Sequence, residues 1–125
     1  MLNVIAAFRS DPKSESGQLA GAIIVGYVKI SPEVFVRYTP KVLPIFGGNG
    51  LSDQDRGTLM AAYAAGNAGS QLSRGKRGDD AYAGDLQLID TYRKLQRTNP
   101  KFKLPGIEKL IELEKRGELR RYVSS

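Results

Sequence analysis

The sequence of 125 residues contains no cysteine and no histidine. Without cysteine the chain has no disulfide, no thiolate nucleophile and no cysteine-ligated zinc. Without histidine it lacks the commonest general base, the usual pH switch and the commonest metal ligand. We therefore predict that the protein is not an enzyme and that it uses neither a metal ion nor a cofactor.

Long hydrophobic runs are also missing. The longest apolar run, 19–28, is interrupted by glycines and is shorter than the ~20 residues that cross a bilayer. The first residues lack the basic region of a signal peptide, and their apolar run stops at Arg9. We expect no signal peptide and no transmembrane segment, and a location in the cytoplasm or in a virion.

The charge is positive and unevenly distributed. The net charge is +6, and residues 61–125 hold thirteen Lys and Arg against eight Asp and Glu, whereas residues 1–60 hold six against five. The composition, 41% apolar and 26% charged, fits one globular domain over 1–125. The positive field of the C-terminal half would attract nucleic acid, anionic lipid or an acidic protein surface.

The first half, 1–50, is expected to be rich in strands. Leu2–Phe8 is a short apolar run, and Leu19–Ile30 is rich in β-branched residues. In Glu33–Tyr38 a strand would place Val34, Val36 and Tyr38 on one face, with Phe35 and Arg37 on the other. Lys41–Phe46 is a weaker strand because prolines restrict it to a sheet edge. Gly47–Gly50 predicts a turn.

The second half, 52–123, is expected to be helical. Ser52 resembles an N-cap for a helix that ends at Gly66. A basic loop rich in glycine and serine follows at 66–80, and its final Asp79 or Asp80 caps a helix at 81–98. Pro105 opens a last helix.

Strands followed by helices indicate an α+β fold rather than alternating βαβ units. We predict an N-terminal, mostly antiparallel sheet of three to four strands followed by two to three C-terminal helices on one face. The predicted core consists of Val4, Ile5, Ile23, Val25, Val34, Val36, Leu59, Leu86, Ile89, Leu110 and Ile111.

The segment 66–78, GNAGSQLSRGKRG, is the first candidate binding site. A phosphate-binding loop of the Walker type needs four residues between its glycines and a hydroxyl after its lysine. Here five residues separate Gly69 from Gly75, and an arginine follows the lysine. Two interpretations remain: a mobile surface loop, or an arm that binds a phosphate backbone or an acidic partner through Arg74, Lys76 and Arg77.

The segment 92–103, YRKLQRTNPKFK, is the second candidate. It has no acid, and Tyr92 and Phe102 are interleaved with its cations. Cations neutralise phosphates and aromatic rings stack on bases, so nucleic acid is one possible partner; a solvated helix end and an acidic protein partner are the alternatives. The cations are Arg93, Lys94, Arg97, Lys101 and Lys103.

Small side chains fill 61–70 almost completely. They indicate either close packing inside the domain or a subunit interface. Taken together, these features favour a non-catalytic structural or assembly subunit, such as a phage head, neck or tail protein. Its partners would be other protein subunits in a homo- or hetero-oligomer. The alternative is a basic accessory protein that binds nucleic acid.

Overall fold

A computed structural model describes residues 1–46 and 51–124, and helices form all of the regular structure there. The predicted α+β class with an N-terminal antiparallel sheet is wrong, because the described ranges contain no strand. The helices are α1 Leu2–Ser10, α2 Glu15–Ile30, α3 Asp53–Arg74, α4 Ala81–Thr98, α5 Pro105–Lys115 and α6 Leu119–Ser124.

Two segments predicted as strands, 2–8 and 19–30, lie in α1 and α2. The start of α2 is well capped, since Ser14 Oγ accepts a hydrogen bond from Gly17 N at 3.0 Å. Glu15 in the first turn is favourable beside the positive end of the helix dipole. The preference of β-branched residues for strands is weak, and packing of α2 overrides it. The residues that α2 buries have helical spacing: Gly17, Ala20, Gly21 and Ile24.

The strand predicted at 33–38 is wrong, because the backbone of this segment is irregular. Val34 is 2% exposed and Phe35 is 44% exposed, so successive side chains point to opposite sides. Lys41–Phe46, the weaker predicted strand, is irregular and buries Val42, Leu43 and Ile45. The turn predicted at Gly47–Gly50 lies outside the described residues.

Helix α3 begins where the sequence predicts and ends later. Ser52 Oγ accepts a hydrogen bond from Asp55 N at 3.0 Å, which confirms the N-cap. The predicted end at Gly66 is wrong, because the helix continues to Arg74 and stops at Gly75, whose φ of 62° is left-handed. The predicted loop 66–80 is therefore reduced to residues 75–80.

The predicted positions of the next two helices are confirmed, but the predicted number of two to three C-terminal helices is wrong, because residues 52–124 form four, α3 to α6. Helix α4 covers 81–98, and Asp80 is its cap, with Oδ1 accepting from Ala83 N at 3.1 Å. Helix α5 begins with Pro105. Gly117, with a φ of 71°, provides the turn between α5 and α6.

Helix α3 lies between two hydrophobic clusters. The larger one joins α3 to α4, α5, α6, the segment 42–45 and Leu51, and the smaller one joins α3 to α1 and α2. Two residues predicted for the core are on the surface, since Ile23 is 45% exposed and Leu86 is 37% exposed. The other predicted core residues are buried or partly buried.

Residues 61–69 are all buried, and seven of the nine are alanine or glycine, which allows α4 to approach α3 closely. A Cβ at Gly66 would lie 2.4 Å from the carbonyl oxygen of Ala83 and 2.6 Å from Gln87 Cβ. Gly84 of α4 is tightly packed in the same way, because a Cβ there would lie 2.7 Å from the ring of Tyr63. The small residues of this stretch therefore serve close packing inside the domain, which is the first of the two interpretations given for 61–70.

Two glycines of α3 test this contact. Gly66→Ala would force the α3 and α4 backbones apart, and we expect it to lower the free energy of unfolding by about 2 kcal/mol. Gly57→Ala meets no atom within 4 Å and should raise that free energy by about 0.5–1 kcal/mol, because alanine is the better helix former. Urea unfolding followed by circular dichroism measures both, and equal shifts would contradict the close packing.

Candidate interaction surfaces

The predicted basic loop is a short turn fixed to α3. Gln71 Oε1 accepts a hydrogen bond from Gly78 N, and Asn67 Oδ1 accepts one from Asp80 N, both at 2.9 Å. Arg74 Nη2 lies 3.3 Å from Asp80 Oδ2, so much of its charge is neutralised within the chain. These contacts leave little freedom for a mobile arm at residues 75–80.

The other two cations of this loop differ in their surroundings. The guanidinium carbon of Arg77 lies 5.5 Å from the centre of the exposed Phe35 ring. Lys76 is exposed and forms no ion pair within the part of the chain that the structure describes. Of the three predicted contact residues here, Lys76 and Arg77 therefore present most of the positive charge to solvent.

The second basic segment is divided between the exposed face of α4 and the connection that follows. Arg93 and Arg97, one turn apart, are exposed and form no ion pair with any described residue. Lys94 is tied to α1, since its Nζ donates to the carbonyl oxygen of Arg9 at 2.6 Å. Lys94 Nζ also lies 3.4 Å from a carboxylate oxygen of Asp90.

The aromatic residues of this segment belong to the core. Tyr92 is 0% exposed and Phe102 is 4% exposed, and their ring centres lie 5.6 Å apart. Burial, together with the hydrogen bond to Glu108, raises the pKa of Tyr92 to about 12. Lys101 and Lys103, on either side of Phe102, are exposed. Neither ring is available to stack on a base, so this surface offers charge alone.

The buried amide of Gln71 in α3, together with Tyr63 and Asp79, holds the segment 33–38 in place, which the sequence did not predict. Gln71 Nε2 donates to the carbonyl oxygen of Phe35 at 2.7 Å, and Phe35 N donates to Gln71 Oε1 at 2.9 Å. The amide thus pairs with one residue's backbone as a neighbouring strand would. Two residues on, Arg37 N donates to Asp79 Oδ1 at 2.8 Å, and Tyr63 donates from its hydroxyl to the Arg37 carbonyl at 3.3 Å.

A substitution at Gln71 tests this support. Gln71→Leu would leave the Phe35 backbone groups and the Gly78 amide without their partner. We expect a loss of about 3 kcal/mol in the free energy of unfolding and faster tryptic cleavage after Arg37. The same change at the exposed Gln54 of α3, which makes no side-chain hydrogen bond to a described residue, should alter neither quantity. Equal behaviour of the two variants would show that the amide pairing has no energetic role.

Asp85 of α4 is the most unusual ionisable group. It is 0% exposed, and its carboxyl oxygens have no hydrogen-bond partner among the described residues. Burial raises its pKa to about 8, so the carboxyl is mostly neutral at pH 7. In sequence it looks like any helical acid, since neither Gly84 nor Leu86 marks the position as buried.

The pKa of Asp85 gives stability a specific pH dependence. The folded state keeps a proton on Asp85 that the unfolded state releases above about pH 4, so the contribution of Asp85 to stability is greatest below that pH and falls until about pH 8. We expect unfolding free energy to fall by up to about 4 kcal/mol between pH 5 and pH 8. Asp85→Asn should flatten this profile in urea unfolding, and parallel profiles for the two proteins would contradict the assignment.

Helix α2 presents a second apolar side to solvent. Leu19 is 64% exposed, Ile23 45% and Ile30 83%. Ala22 and Gly26 lie between them on the same side and are also exposed. We call these five residues the α2 outer face. The prediction of a strand at 19–30 does not reveal the α2 outer face, although the spacing of its residues by three and four is typical of a helix.

The open groove between α1, α3 and α4 does not resemble a catalytic site. It has a volume of about 740 Å³, and Arg9 is the one ionisable residue among the described residues that line it. Across residues 1–46 and 51–124, no three acids lie together in a group that could hold a metal ion. The groove therefore offers no pair of groups for general acid–base chemistry.

None of the described helices is long and apolar enough to cross a membrane. No protein-family model, curated protein or solved structure matches the chain.

Proposed function

We propose that the chain is a non-catalytic structural subunit of a larger protein assembly. A virion component, such as a phage head, neck or tail protein, is the most specific form of this proposal. The observation that supports it is the α2 outer face, an apolar side of a helix exposed to water along three turns. A helix that is apolar on both sides is normally buried on both sides.

The energy of covering this face is sufficient to matter. Leu19, Ile23 and Ile30 are between 45% and 83% exposed, and burying what remains of their surface would contribute on the order of 3 kcal/mol. Contiguous apolar surface of this kind marks protein contacts more often than scattered single residues do. Glu15 and Lys29 are the charged residues of α2, and neither interrupts the apolar stripe before Ile30.

A second candidate function is nucleic-acid binding. Arg93, Arg97, Lys101 and Lys103 are exposed cations that form no ion pair within the described residues. Such groups bind phosphates without reading sequence. Because Tyr92 and Phe102 are buried, base stacking would have to come from elsewhere, and the binding would depend steeply on salt.

Size-exclusion chromatography with light scattering and absorbance at two wavelengths, 260 and 280 nm, tests the two functions. We expect particles larger than the 13.7 kDa chain without excess absorbance at 260 nm. Ile23→Glu should reduce their mass, because it introduces a charge into the apolar face. Leu2→Glu is the matched control, since Leu2 on α1 is 47% exposed and Ile23 45%, and it should leave the mass unchanged.

The same experiment can also contradict the assembly function. A monomer that elutes with nucleic acid until salt is raised, and whose mass Ile23→Glu does not change, would favour the second candidate. Replacing Arg93 and Arg97 by alanine should then reduce the salt dependence of binding.

A further inference from the structure

We propose that the α2 outer face binds a second copy of the same chain, with the two α2 helices antiparallel and a two-fold axis at Ala22. This inference rests on the proposed assembly function and names the partner. It follows from the order of charged, large and small residues along the helix, which makes the face complementary to itself when reversed.

The charged residues of α2 are complementary in an antiparallel pair. Glu15, Ala22 and Lys29 are spaced by seven residues, so they lie on the same side of the helix. In an antiparallel pair centred on Ala22, Glu15 lies opposite Lys29 of the second copy, and symmetry repeats this ion pair at the other end. Both side chains are exposed, and neither forms an ion pair with a described residue of its own chain.

The shapes fit in the same register. Leu19 falls within one residue's rise, about 1.5 Å, of the level of Gly26 in the second copy, so a large side chain of one stripe faces the residue with none. Ala22 meets Ala22 at the axis, where two small residues allow the helices to approach closely. Ile23 flanks this contact on both sides of the axis.

A parallel pair would lose both kinds of complementarity. It would place Glu15 beside Glu15 and Lys29 beside Lys29, which repel. It would also place Leu19 against Leu19 and Gly26 against Gly26, leaving a bulge at one level and a gap at another. The antiparallel pair is therefore the arrangement that this sequence of residues favours.

Charge reversal tests the pairing through the dimer dissociation constant, measured by analytical ultracentrifugation at low ionic strength. Glu15→Lys alone and Lys29→Glu alone should each weaken the dimer about tenfold, because each creates two repulsive contacts. The double variant should restore affinity to within about threefold of the original. Both changes oppose the dipole of α2, so recovery in the double variant cannot come from a more stable helix.

Single cysteines test the register, since the chain has none of its own. Ala22→Cys should form a disulfide-linked dimer under mild oxidation. Leu19→Cys should not, because the two copies of residue 19 would lie about 9 Å apart along the axis. Equal cross-linking at both positions would indicate a parallel pair and overturn the inference.

The remaining outcomes separate this inference from the function on which it rests. If Ile23→Glu breaks an assembly but charge reversal has no effect, α2 contacts a different surface, and the antiparallel dimer is excluded while the assembly function stands. If the wild-type protein is a monomer at every concentration and Ile23→Glu changes nothing, both proposals fail.

Discussion

The close contact between α3 and α4 is the constraint on which the rest of the structure depends. Gly66 and Gly84 remove the side chains that would otherwise separate the two helices, and the carbonyl of Ala83 and the ring of Tyr63 occupy the space. Protein interiors are packed as densely as organic crystals, so a single methyl group added between α3 and α4 would lower the stability of the fold. The small side chains of α3 also allow it to lie between the cluster with α4, α5 and α6 and the cluster with α1 and α2.

A helix with such small side chains can supply little apolar surface to hold an irregular segment against it. Polar groups perform that task instead. Gln71 and Asn67 are 1% and 0% exposed, and their amide groups bond to the segment 33–38 and to the turn at 75–80. A buried amide is stabilising only when its donors and acceptors are satisfied. Gln71 meets this condition with two bonds to Phe35 and one each to Gly78 and Asn67.

The sequence predicted the structure well where the signal is local. Ser52 and Asp80 are side-chain caps and Pro105 opens α5, and each of these depends on residues within one turn. It failed where the deciding contact is distant. Gly66 looks like a helix end, but its role is set by α4, seventeen or more residues later. In the same way, the alternation at 33–38 predicts a strand, and nothing local shows that the partner of this segment is a glutamine side chain rather than a neighbouring strand.

Of the candidate binding surfaces, the sequence predicts the basic residues but not the α2 outer face. The basic residues were found from composition, because charge is visible in any fold, yet composition could not show that Arg74 and Lys94 are partly neutralised within the chain. The α2 outer face was missed for the opposite reason. The strand prediction for 19–30 places Ile23 in the core, and only the helical period separates the buried side of this segment from the exposed one.

The distribution of size around α2 is the strongest physical reason to expect a partner. The residues that α2 buries fully are mainly small, Gly17, Ala20 and Gly21, with Ile24 as the large exception, while Val25 and Val28 are partly buried against the same cluster. The side that faces water carries Leu19, Ile23 and Ile30. A helix whose only contacts were internal would gain stability by the reverse arrangement, because larger apolar side chains contribute more when buried. The large side chains are therefore best explained by a contact outside the monomer.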